Sequence, residues 1–130
     1  MAAFSNYLED QITGWLNGTT FVAAPVNTYL QLYDGDPTDT GTGGTQILSR
    51  VAVPSGSWTR SIGGAGTITN TSQIIFTSNA SVNVTATHAA LFSASVSGNM
   101  YFYGALTTSA AIKTGDEVKI SASNLLITIA

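Results

Sequence analysis

The residues able to do chemistry are few in this 130-residue chain. It has one histidine, no cysteine, and eleven charged side chains of the Asp, Glu, Lys and Arg types, about 8% of the total. His88 stands in a run of alternating β character beside Ala89, Ala90 and Leu91. General-base work would need a nucleophile and an acid brought to it in space, and no spacing here announces them. Its simpler reading is a hydrogen-bonded packing residue. One histidine and no cysteine make a zinc site within one subunit a poor expectation. The same counts leave no disulfide framework and no thiolate chemistry.

Asp34, Asp36 and Asp39 lie close enough in one loop for their oxygens to suit calcium. The twelfth position counted from Asp34 is Thr45, where an EF-hand loop would place glutamate. Asp-Gly and Asp-Pro are also turn formers through side-chain bonds to the backbone, so a metal-free turn is the expectation. A carboxylate pair for glycoside cleavage would have to come from Asp34, Asp36, Asp39, Asp116 and Glu117, with nothing in the sequence placing two of them across a cleft. Gly63 to Gly66 lacks the spacing of a phosphate loop and no helical pattern follows it. The sequence therefore predicts a non-enzymatic protein with no cofactor, metal or small-molecule substrate. Four Asn-x-Ser/Thr triplets, at Asn17, Asn70, Asn79 and Asn83, are read as products of composition.

The elements that would carry these residues are mostly strands. Phe4, Leu8, Ile12 and Leu16, with Trp15 beside them, make an apolar stripe at helical spacing within residues 1–18. Ser5 or Asn6 can cap its start, Asn6 and Glu9 have capping-box spacing, and Asn17-Gly18 can stop it. The stripe could cover the open end of a sheet or be an exposed docking face. From residue 26 to 130 the pattern is β. Expected strands are Thr28–Tyr33, Gln46–Val53, Trp58–Ile62, Thr67–Asn70, Gln73–Phe76, a weak Ser81–Thr85, Thr87–Ser93 and Asn99–Leu106. The last two form a hairpin across Ser97-Gly98-Asn99, and Glu117–Ser121 with Leu125–Ala130 forms a closing pair. Thr67–Asn70 and Gln73–Phe76 could also be one bent strand. Leu30 and Leu32 should face one way, and Tyr29, Gln31 and Tyr33 the other. The prediction is a single all-β domain, a β-sandwich or jelly-roll-like barrel with one short N-terminal α-helix.

Charge narrows the partners. The formal net charge is −3, and Arg50, Arg60, Lys113 and Lys119 are scattered, so no basic stripe for nucleic acid exists. No apolar run approaches a membrane span. The N-terminus lacks signal-peptide features, so synthesis and retention in a cytoplasm are expected. A surface built from Ser, Thr, Asn and Gly suits a protein packed against copies of itself or a partner, or simply a β-rich domain.

Several blocks together resemble the small structural proteins of tailed bacteriophages, variously labelled tail-fibre-like or head decoration. They are Tyr7-Leu8-Glu9, Tyr29 to Asp39 (YLQLYDGDPTD), Arg50 to Val53, Thr87 to Phe92 (THAALF), Tyr101 to Thr108 (YFYGALTT) and the Gly115-Asp116 turn. Thr45 and Leu48-Ser49 depart from the usual acidic residue and tyrosine of that pattern. The resemblance implies a virion protein, foremost a capsid cement or decoration protein. Such a protein would bind the major capsid protein outside the shell as a homotrimer at threefold positions. The alternative is a tail or tail-fibre component that touches the host surface. Its interface would draw on Phe4, Leu8, Ile12 and Trp15 of the helix stripe. Tyr101 and Tyr103 would add rings on the faces of one strand, and Arg50 and Arg60 would pair with carboxylates across a subunit boundary.

Overall fold

A computed structural model describes residues 3–63, 66–77 and 83–128. Strand β1 (Ala3–Phe4) leads into helix α1 (Asn6–Leu16). The strands β2 (Asn27–Asp34), β3 (Thr45–Pro54), β4 (Trp58–Arg60), β5 (Thr67–Asn70), β6 (Ile74–Thr77), β7 (Val84–Phe92), β8 (Met100–Ile112), β9 (Glu117–Ile120) and β10 (Leu126–Thr128) follow. The expected all-β class with one N-terminal helix holds.

Among the described residues every strand pairing is antiparallel, in three sheets ordered β1-β8-β7-β2-β3, β10-β5-β4 and β6-β9. Alternation sorts the large sheet into two faces. Leu30, Leu32, Ile47, Val53 and Leu91 point to one core, where they meet Ile74, Phe76 and Ile127 from the two small sheets. These layers make the sandwich. Tyr33, Ala90, Phe92 and Met100 form a second, smaller cluster on the opposite face, with Tyr29 and Tyr103 against it. The division of β2 into leucines on one side and tyrosines on the other is what the sequence pattern predicts.

The closing pair expected of the last two strands does not form. β9 pairs with β6, and β10 pairs with β5. β5 and β6 are likewise separate strands in different sheets rather than one bent strand. The physical reason is a buried side chain at the switch point. Asn70, 1% exposed, donates from Nδ2 to the carbonyls of Ser72 and Ser121 and accepts from Leu125 N at Oδ1. One amide thereby fixes both places where the chain crosses between sheets, satisfying backbone groups that a sheet edge would otherwise leave unpaired. The expected strand at Ser81 falls partly outside the described residues; β7 begins at Val84. The β7–β8 hairpin forms, but through a longer loop, Ser93 to Asn99, rather than a tight turn.

Ser5, with extended backbone (φ −77°, ψ 160°), is the helix cap, so Asn6 is the first helical residue and the Asn6–Glu9 capping box is not used. Ser5 Oγ accepts from Leu8 N and donates to the Met100 carbonyl, tying the helix start to β8. Asn17 ends the helix and Gly18 follows with φ +90°, a left-handed conformation that glycine takes without strain.

Candidate functional site

The helix stripe divides along its length. Phe4 belongs to β1 and packs against Phe102, the rings tilted by 46° with centroids 5.5 Å apart. Leu8 is the buried residue of the helix, Ile12 is half-buried, and Trp15 and Leu16 are 60% and 73% exposed. The helix packs on β8 and β1, and its start is the end anchored to them through Ser5. The last turn projects its apolar side chains outward. The following segment folds back along it: Thr19 N donates to Gly14 O and Val22 N to Gln11 Oε1. Phe21 and Val22, 40% and 37% exposed, thus add two exposed apolar side chains on the segment that returns along the helix. An exposed cluster of large apolar side chains in a small domain marks an interaction surface. Leu8, by contrast, sits inside, so a charge placed there tests folding and not docking. The sequence missed Phe21 and Val22 because their segment has no periodic pattern.

A second cluster lies on the aromatic face of the large sheet. Leu30 pairs with Val51 and Leu32 with Ile47, so β3 carries extra residues opposite Gln31 and bulges there. Leu48 in the bulge has φ +60°. Gln31, 2% exposed, fills the gap: its Nε2 donates to the carbonyls of Ile47 (2.9 Å) and Leu48 (3.1 Å). Its Oε1 accepts from Arg50 Nε at 3.2 Å. Arg50 then reaches across the sheet end. Its guanidinium carbon stands 3.7 Å above the centre of the Phe92 ring, and Nη1 donates to Ala94 O (2.8 Å) and Ser97 O (2.7 Å). Burial pulls the Arg50 pKa below its ordinary value, against a smaller raising effect from Tyr33. Burial likewise raises the Tyr33 phenol, partly offset by the hydrogen bond from Gln46 and by Arg50.

This network stiffens the β7–β8 loop. Ser93 N donates to Asn99 O, Asn99 N to Ser93 Oγ, and a Cβ at Gly98 (φ +76°) would lie 2.7 Å from Ser93 Oγ. The loop carries Val96, 78% exposed, at the rim of an open groove with Gln46, Leu48, Arg50 and Ser97. Gln31→Leu is expected to strand the bulge carbonyls and Arg50 Nε, costing about 2–4 kcal/mol. A urea titration checks this, and unchanged stability would mean that the amide is dispensable.

The other expected site residues are dispersed. Arg60 is exposed on β4, in a different sheet from Arg50. Tyr101 lies against Tyr7, ring centroids 6.1 Å apart, and burial and then Tyr7 raise its pKa. Tyr103 packs on the aromatic cluster, its pKa raised first by burial and then by Asp39, Asp36 and Glu9. His88 is half-buried, with Nδ1 2.9 Å from Thr87 Oγ1. Asp36 Oδ1 accepts from Thr38 N at 2.8 Å, an Asx turn. Among the described residues no three His, Cys, Asp or Glu side chains come together as a metal-holding group. Asp116 Oδ2 accepts from Lys113 N, and Glu117 pairs with Lys119 at 3.6 Å, which places this acid pair in a surface turn. No described helix is long and apolar enough to cross a membrane.

The geometry is that of a protein that presents surfaces: exposed apolar side chains at the end of the helix and a braced loop between β7 and β8. Residues 3–128 match the model of a family described as podophage GP4 fiber I protein gp80. No curated protein matches the chain.

Proposed function

The chain belongs to the podophage GP4 fiber I protein gp80 family, a tailed-phage structural family, by its match over residues 3–128. From that premise we propose that it is a non-enzymatic virion component that serves in a fibre or its attachment and docks on the particle through the platform of Trp15, Leu16, Phe21 and Val22.

The observation that carries this reading is the exposure of those four side chains, two on the last helical turn and two on the segment that returns along the helix. Each would release water on docking, at about 25 cal/mol per Å² of apolar surface removed. Aromatic side chains of this kind commonly anchor interfaces. The family description favours a fibre. The cement reading, with the major capsid protein as partner, rests on the sequence resemblance, which covers head decoration proteins and tail-fibre-like proteins alike. Both readings use a docking face and no catalytic group.

The experiment is to separate heads from tails of purified particles and quantify the chain in each fraction. Presence with the tails, in few copies, is the expected result. Hundreds of copies on isolated heads would overturn the fibre assignment in favour of cement.

A further inference from the structure

Strand β1, helix α1 and the segment returning along the helix form one unit. Among the described residues, the hydrogen bonds of residues 17–25 all go back to that helix. Asn17 N donates to Thr13 O and Gly14 O, Gly18 N to Trp15 O, Thr19 N to Gly14 O, and Val22 N to Gln11 Oε1. The next tie belongs to the sandwich, where Ser55 N donates to Val26 O at 3.0 Å. Between the two lie Ala23 and Ala24, both exposed, and Pro25. Proline keeps the residue before it out of helical backbone, so this connection is an extended hinge.

The unit is held to the sandwich by contacts that need no chain continuity. Ala3 pairs with Tyr103 and Phe4 with Phe102 along the outer edge of β8. Ser5 N donates to Tyr101 O, Ser5 Oγ to Met100 O, and Asn6 N to Asp39 O. The Phe4–Phe102 and Tyr7–Tyr101 ring pairs complete the contact. All of these partners lie in β8 or the β2–β3 loop, and none in the hinge. The outer groups of an edge strand are a template for pairing with any chain of suitable sequence. A second copy carries the same Ala3 to Leu8 segment, so the socket that fits one fits the other.

We propose that residues 3–22 are an exchangeable arm, which docks on β8 of a neighbouring copy of this chain when copies are held close together. Exchange in a pair or around a closed ring fills every socket. A short flexible linker presents its own arm at an effective concentration on the order of millimolar. The exchanged form therefore competes once copies stand at comparable concentration, as neighbours in a particle do. Trp15, Leu16, Phe21 and Val22 travel with the arm. Exchange joins copies to each other, so it is separate from the docking proposed above and holds wherever on the particle the protein sits.

The chain has no cysteine, so a disulfide can report which copy supplies the arm. Ala3→Cys and Tyr103→Cys put thiols on directly paired strand residues, whose Cα separation of about 5.5 Å suits a disulfide. Ala3 is exposed and Tyr103 half-buried, so both variants are expected to fold. The two single-cysteine chains are refolded together at about 1 mM and oxidised. Crosslinked dimers of one chain of each kind are expected in at least about tenfold excess over dimers of a single kind. Phe4→Cys with Phe102→Cys, the next pair in register, repeats the test independently. The unsubstituted chain at the same concentration is expected to sediment faster than a monomer. Mixed dimers no commoner than chance pairing gives would overturn the proposal, and so would an unsubstituted chain that stays monomeric.

Discussion

Trp15→Lys combined with Leu16→Lys is expected to fold as the wild type does and to be missing from purified particles. Both side chains are mostly in water, 60% and 73% exposed, so truncating them removes little internal packing. Lysine also suits the last helical turn, which holds no basic residue and carries the negative end of the helix dipole. Surface changes of this kind leave stability within about 0.5 kcal/mol. Docking is another matter. Loss of two anchors at about 2 kcal/mol each weakens binding roughly a thousandfold. Thermal melting of the pure protein, together with immunoblotting of particles assembled with the variant, checks both halves. Normal incorporation would remove the platform from the docking face.

Phe76→Ala is expected to have the largest effect on the fold itself. Phe76 is fully buried, opposite Val118 in the β6–β9 pair, where it joins the small sheet to the core face of the large one. Removing a buried phenyl ring costs about 3–5 kcal/mol, the lost transfer free energy plus the cavity left behind. A domain is stable by only about 5–15 kcal/mol, so this is a large fraction. The melting temperature should fall by roughly 10–20 °C. Differential scanning calorimetry measures it, and a fall of about 2 °C or less would mean that the small sheets do not cover this core.

These two residues show where sequence reasoning stops. Phe76 ends an apolar run, Ile74-Ile75-Phe76, in which burial alternates although residue type does not. The period of two puts Phe76 on one face with Ile74, but the tertiary packing decides that this face is inward and that of Ile75 is not. Trp15 belongs to an apolar stripe that looks continuous from Phe4 to Leu16. Whether a stripe is covered depends on how far the neighbouring sheet extends, and the helix leaves the sheet after its first turns. Leu8 is therefore core while Trp15 is surface, at positions that periodicity treats alike.

Arg50 makes the same point for polar groups. Its type and its isolation from other charges are visible in the sequence, and so is its aptness for a carboxylate. Its hydrogen bonds to Gln31, Ala94 and Ser97 are not, because they depend on a bulge whose existence follows from the register of β2 with β3. The sequence by itself determined the elements: one capped helix, strands of alternating character, turns at Asn17-Gly18 and Gly115-Asp116, and the scarcity of catalytic side chains. All of these follow from interactions between near neighbours. The tertiary structure alone decided which strands pair, why Asn70 rather than a closing hairpin sets the sheet order, and which end of the helix stays in water. Those are outcomes of long-range register and burial, where residues distant in the chain compete for the same partners.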